Sequence, residues 1–337
     1  MNPIGQPGLL ERVAPVTGAA SSATLRRTIG HLLFACTSAL ALANSSRAQE
    51  PLPQVATGHI ERLANFPSQH VAPRHVDVWL PADYSPAKRY QVLYMQDGQN
   101  LFDGRHAYGG KPWQADVAVQ RAVKSGRLAD TIIVGIWNVG AERYAEYYPE
   151  KFLAHAPEAA RREYVDQASN GRSKADAYLR FVVEELKPAI DLRYATRTGP
   201  ESTTVIGSSM GGLISLYALA EYPHVFGAAG GLSTHWVGRP TVWGRERVRN
   251  AALPLAAMTY LLQKLPLAGK HRLYTDRGDD WLDSLYAPAH RMVAEVLRDR
   301  GYTAADSATP VFDGTGHNEG DWATRLEGIL IFLMGPR

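Results

Sequence analysis

The hexapeptide GSSMGG (207–212) stands between an apolar run, TTVI (203–206), and a helical one, LISLYALAEY (213–222). That passage leaves the chain few options. A buried strand must give way to a helix within a few residues, and only small residues flanking the tip let the backbone turn so sharply. Gly207-Ser208-Ser209-Met210-Gly211 fits the pattern G-x-S-x-G, with Ser209 at the tip. A side chain held there sits on strained backbone above the sheet, beside a helix N-terminus that favours developing negative charge. The plainer alternative is a helix capped by Ser208, with glycines for close packing. The strand before and the helix after are the context a reactive serine needs. The two serines are therefore read as different: Ser208 as a local cap, Ser209 as the reacting group.

The rest of the chain repeats the alternation. YQVLYMQDG (90–98) and TIIVGIWNVG (131–140) are apolar runs ending in turn residues, as buried parallel strands are. Between them WQADVAVQRAVKSG (113–126) reads as a helix ending in Gly. VFGAAGGLS (225–233), HRLYTD (271–276) and ATPVF (308–312) continue the strands. Helices are expected over 175–194, 286–301 and 321–334. In the first of these, Tyr178, Phe181, Val182, Leu186 and Ile190 share one face, and Pro188 should bend or end it. HIERLA (59–64) and RHVDVWLP (74–81) alternate like antiparallel edge strands. Residues 141–172 carry no clean strand and read as an insertion over one end of the sheet, and the stretch from Ser233 to Gly269 as helices over the site. The predicted class is α/β, a mostly parallel central sheet with helices on both faces, which binds ligands at the carboxyl ends of its strands.

A hydroxyl needs a base to become a nucleophile at neutral pH. His317, in FDGTGHNEGDW (312–322), follows the last strand and precedes the last helix. It suits the chain order of serine, acid, histidine. His235 is read as a pocket wall, His271 as lying at the wrong end of its strand, and His290 as structural. The acid should follow HRLYTD, where Asp276, Asp279, Asp280 and Asp283 all compete. Its task is to hold the imidazole in one tautomer. An oxyanion hole needs two preorganised N–H groups. These are assigned to Met210 and to Gln99 in MQDGQNLFD (95–103), where Gly98 permits close approach. Trp113, Asn138, Arg143, Tyr147 and Trp236 fall in loops expected at the pocket mouth and are candidate substrate contacts or, equally, core residues. No H-E-x-x-H, P-loop or dinucleotide fingerprint is present. Nothing in the spacing of Asp97, Asp103 and His106 demands a metal, so neither metal nor cofactor is expected.

Composition narrows the class. A chain of 337 residues with 45% hydrophobic and 20% charged residues can bury the core of one large domain. A net charge of +3, without basic clusters interleaved with aromatics, argues against nucleic acid as a partner. Residues 1–48 read as a signal peptide: LRR (25–27), the apolar GHLLFACTSALALA (30–43), and a small-x-small cut after Ala48. The apolar run is short for a membrane span, which needs about 20 residues. An exported protein, periplasmic or secreted, is expected, with no stable membrane insertion after cleavage. The single cysteine, Cys36, would leave with the leader. Residues 49–57 read as a linker and 58–337 as the enzyme domain. The sequence sets no oligomeric state.

VLYMQDGQNLFD, YLRFVVEELKPAID, VIGSSMGGLISLYAL, LYTDRGDDWLDSLY and GTGHNEGDWATRL, in this order, resemble the putative esterase family of α/β-hydrolases. That family includes siderophore esterases, feruloyl and acetylxylan esterases, S-formylglutathione hydrolases and mycolyltransferases. The resemblance covers about 76–333 and implies the α/β-hydrolase fold, Ser209 as nucleophile, His317 as base, and N–H donors at Gln99 and Met210. It also selects Asp283 as the acid, through the LD of WLDSLY, with Asp280 as the alternative. It departs at Gln96, where many relatives have His. The function it implies is an exported serine carboxylic-ester hydrolase acting on a small-molecule ester through an acyl-enzyme. Acyl transfer by the same residues, or a silent binding protein on the same fold, are the alternatives. The family's range leaves the ester open, to be set by residues 141–172 and 233–269.

Overall fold

The computed structural model describes residues 50–169, 171–237 and 252–336. The leader, its cleavage site and Cys36 lie outside the described residues. Eight strands form one sheet: β1 (His59–Phe66), β2 (Arg74–Leu80), β3 (Gln91–Gln96), β4 (Thr131–Ile136), β5 (Thr203–Ser208), β6 (Ala228–Leu232), β7 (Arg272–Thr275) and, after the short β8 (Arg277–Gly278), β9 (Ser307–Ala308). Their order is β1-β2-β4-β3-β5-β6-β7-β9. All neighbours from β4 to β9 run parallel, while β1 and β2 are antiparallel. The architecture is that of an α/β-hydrolase.

Two strand expectations are corrected. Of these two strands only β1 is an edge, because β2 pairs on both sides, with β1 and with β4. The run ATPVF is not one strand. Ser307–Ala308 pairs with β7, and β10 (Val311–Phe312) pairs instead with β8 in a separate two-stranded ribbon. Pro310 lies between the two pieces. It has no N–H to give to a ladder, so the strand breaks there.

Among the described residues six longer helices cover the sheet: α1 (Ala115–Lys124), α2 (175–193), α3 (Met210–Glu221), α4 (Ala252–Lys264), α5 (Ala287–Asp299) and α6 (Glu319–Met334). The period of two along each strand sends alternate side chains to opposite faces. Tyr94, Val134 and Val205 join α2, α3, α4 and α5 in one core. Leu93, Met95, Ile133 and Ile206 join α1 and α6 in the other. Pro188 does not end α2. The helix passes from Ala175–Arg180 through a π-helical Phe181–Leu186 to Lys187–Arg193. The wider turns ahead of Pro188 accommodate a ring that would clash with the carbonyl four residues back in a regular α-helix.

The insertion over 141–172 forms short helices at Arg143–Tyr147, Glu150–Leu153 and Glu158–Ala168. The first packs on α3 and the second on α4, with Tyr147, Tyr148 and Phe152 wholly buried. The described part of the segment read as a linker is fastened to the domain. Gln54 N–H donates to Asp103 (2.8 Å), Ala56 N–H donates to Asp116 (2.7 Å), and Trp79 Nε1–H donates to the Thr57 carbonyl (2.6 Å). Carboxylates that capture backbone N–H groups turn a polar, extended segment into fixed structure.

Candidate active site

Between β5 and α3 the backbone of Ser209 lies at φ 54°, ψ −123°. The two flanking glycines are obligatory for this turn. A Cβ on Gly207 would sit 2.6 Å from the backbone of Gly211, and one on Gly211 would sit 2.9 Å from Gln96 Cβ. The end of β6 holds the turn from the other side: Ser209 N–H donates to the Leu232 carbonyl (2.8 Å), and His235 N–H to the Ser209 carbonyl (3.2 Å). Ser209 is the N-cap residue of α3, yet its side chain caps no N–H. Ser208, expected to cap, instead lines the adjoining cavity.

That cavity, about 600 Å³, lies at the carboxyl end of the sheet and is lined by both Ser209 and His317. His317 stands in the loop between β10 and α6, with its Nδ1 2.7 Å from Asp283 Oδ1. An ionised carboxylate can only accept, so the ring proton sits on Nδ1 and the lone pair on Nε2. Trp322 and Tyr286 meet the ring edge-on, at 5.1 and 5.8 Å. Asp283 is wholly buried in the short helix Trp281–Ser284. Its second oxygen accepts from Ser233 Oγ (2.5 Å) and Gly278 N–H (2.7 Å). Burial pushes this carboxyl up, but the contacts to His317, Ser233 and Gly278 outweigh it and hold the group below its ordinary range.

The other candidate acids are spoken for. Asp276 bonds Arg325, the Ser233 N–H and the Tyr274 hydroxyl. Asp279 accepts from Gly314 N–H (2.7 Å), and Asp280 caps the Trp281 N–H (2.8 Å). His235 is not a pocket wall: it is buried, with its Nδ1 2.6 Å from the Tyr286 hydroxyl. His271 and His290 bond backbone carbonyls, of Pro223 and Thr309.

Gln99 borders the cavity in the turn after β3. Met210 is the first residue of α3, where N–H groups have no intrahelical partner. Among the described residues neither N–H donates to another protein group. The Gln99 turn is rigidly seated. Gly98 lies so close to β4 that a Cβ there would be 2.5 Å from the Gly135 carbonyl carbon. Asp97, at φ 55°, binds Arg143 through two contacts (2.8 and 2.7 Å) and Asn138 Nδ2 (2.7 Å). Asn138 N–H donates to the Gln99 side chain (3.2 Å). Asp97, Asp103 and His106 do not converge, because Asp103 pairs with Arg105 and His106 lies 3.4 Å from Glu50. Gln96 is buried beneath the turn, where it accepts from the Tyr178 hydroxyl.

Of the five loop residues proposed as substrate contacts, Asn138 and Arg143 line the cavity. The other three do not. Trp113 packs against Trp322 (5.6 Å) and Tyr147 against Tyr178 (5.2 Å), and Trp236 lies in the core. Large rings near a loop gain more by burial under it than by facing water. Sequence reasoning missed Asn100, His106, Tyr108, Tyr144, Glu319 and Trp322 as lining residues. The available signal was proximity: the first three continue the Gln99 turn, and Glu319 follows His317 by two.

The chain belongs to the "Putative esterase" family, whose model matches residues 70–333. It is similar to the protein YjcH of Bacillus subtilis, 30% identical over 151 residues, 44% of this chain and 51% of that protein. It is also similar to the ferri-bacillibactin esterase BesA of Bacillus subtilis, 27% identical over 165 residues, 48% of this chain and 54% of that protein. The chain thus spans about half the length of these curated relatives. A solved structure of a ferulic acid esterase from Anaeromyces mucronatus has a TM-score of 0.56 at 16% identity, covering 86% of this chain and 96% of that one, which is a likeness of fold. No helix among the described residues is long and apolar enough to cross a membrane.

Proposed function

We propose that the protein is a serine carboxylic-ester hydrolase using Ser209, His317 and Asp283. Ser209 Oγ attacks the ester carbonyl while His317 Nε2 takes its proton. The carbonyl oxygen, now negative, is held by the N–H groups of Gln99 and Met210. Collapse breaks the ester C–O bond, and His317 returns the proton to the departing alcohol. Water, deprotonated by His317, then attacks the acyl-Ser209 ester; the acyl–Oγ bond breaks, the acid leaves, and His317 returns the proton to Ser209 Oγ. Asp283 keeps the imidazole in its productive tautomer and steadies the imidazolium. The observation that carries the reading is the 2.7 Å His317–Asp283 bond beside a cavity that the strained Ser209 also lines.

Ser209→Ala should cut hydrolysis of p-nitrophenyl acetate by about 10⁴-fold or more while the protein stays folded. Unchanged turnover would sink the assignment. We also place the protein outside the cytoplasm, on the n-, h- and c-region order of residues 1–48. An N-terminus at Gln49 in the exported fraction supports this, and an intact leader on soluble cytoplasmic protein refutes it.

A further inference from the structure

Most charged groups around the cavity have a side-chain partner. Asp97 is gripped by Arg143, and Asp283 by His317. Glu319 differs. It opens α6 and lines the cavity with Ser209 and His317, yet the residue is only 8% exposed. Among the described residues its carboxylate forms no ion pair and no hydrogen bond to another side chain. The Lys111 side chain lies beside the adjacent Gly320, and among the described residues no ion pair joins it to Glu319. A carboxylate this buried is costly unless something completes its hydrogen bonding. Burial pushes it up from its ordinary range. Its own backbone N–H opposes the rise, Asp97 adds to it and Arg143 offsets it.

We infer that Glu319 is a specificity-determining residue, accepting a hydrogen bond from an ammonium or hydroxyl group on the ester and turning away esters that carry an anion. This rests on the esterase reading above. The Asp97–Arg143 pair brings no net charge, so an ionised Glu319 is a charge lining this cavity with no ion-pair partner among the described residues. A substrate cation gains both the hydrogen bond and the charge attraction, a hydroxyl gains the hydrogen bond, and a carboxylate gains neither and is repelled. Glu319 therefore discriminates among esters without taking part in the proton transfers of His317.

Two substrate sets test this, one for each side of the scissile bond. The first holds p-nitrophenyl esters of one acyl chain ending in trimethylammonium, hydroxymethyl, tert-butyl or carboxylate. The second holds the acetate esters of choline, of its uncharged carbon isostere 3,3-dimethylbutanol, of ethylene glycol and of glycolate. The readout is the kcat/KM ratio of cationic to anionic ester, and of hydroxyl to uncharged ester, in the wild type and in Glu319→Gln. In at least one set the cation-to-anion ratio should favour the cation in the wild type and fall by about tenfold or more in the variant. The hydroxyl preference should fall less. Ratios unchanged within about twofold in both sets overturn the inference while leaving the esterase reading intact. A wild-type protein that hydrolyses none of the uncharged members overturns both. Should Glu319→Gln melt early, Glu319→Asp serves in its place, with a smaller loss of the same ratio expected and an unchanged ratio counting against the inference.

Discussion

Asp276 and Asp283 make an instructive pair. They lie seven positions apart in the loop after β7, both are buried, and both bond Ser233, one through its N–H and the other through its Oγ. Asp276 meets a fixed cation. Arg325 reaches both of its oxygens (2.8 and 3.0 Å), and the Tyr274 hydroxyl adds a third contact. Among the described residues Asp283 meets no guanidinium or ammonium; besides Ser233 and the Gly278 N–H it bonds the ring of His317, which also borders the cavity. Equal burial of the same residue type thus gives two roles. A permanent cation makes the carboxylate a structural tie, whereas a carboxylate bonded to an imidazole at the cavity suits the base-orienting role proposed for Asp283.

The comparison can be broken at four points. Asp283→Asn should lower kcat by about 10³- to 10⁴-fold with the fold retained, because an amide can leave the imidazole in the wrong tautomer. Steady-state kinetics would show it, and a loss under tenfold would return the acid role to Asp280. The stability it supplies also has a sign. Its folded-state pKa lies below the unfolded one, so the contribution is present above the ordinary carboxylate value of about 4 and is lost as pH falls through the folded value. The gap in denaturant midpoint between wild type and Asp283→Asn should narrow accordingly on acidification.

Asp276→Asn should act on stability instead. It leaves Arg325 buried without its charge partner, at a cost of about 3–5 kcal/mol in urea denaturation, with kcat per folded molecule changed much less. Ser233→Ala should fall between the two roles. It removes the Oγ contact to Asp283 and orphans the Trp322 Nε1–H, which donates to it at 2.8 Å. About 1–3 kcal/mol of stability should go, together with a modest fall in kcat. Asp280→Ala should do least. It loses a single exposed cap to Trp281, about 0.5–1 kcal/mol, and should leave kcat unchanged.

Residues that act locally were legible in sequence. The elbow around Ser209 could be read because its geometry needs glycine at two positions two residues away, and both are present. His317 could be placed because strand, loop and helix follow one another in order. The four aspartates after β7 could not be ranked by spacing, since their roles depend on partners far along the chain. Asp283 meets His317 34 residues away, and Asp276 meets Arg325 at a separation of 49. Trp113, Tyr147 and Trp236 misled for a related reason. Loop position says where a ring starts, not whether a second layer of chain covers it.

Hydrophobic period, glycine placement and turn chemistry are short-range properties, so the sequence by itself determined the alternating strands and helices, the sharp turn at Ser209 and the position of His317. The tertiary structure alone decided that Pro310 splits the last strand between two sheets, that Asp97 locks the Gln99 turn onto Arg143, and that Glu319 borders the cavity without an ion-pair partner among the described residues. Those outcomes depend on which distant groups arrive at the same place, and on whether burial leaves a charge matched or alone.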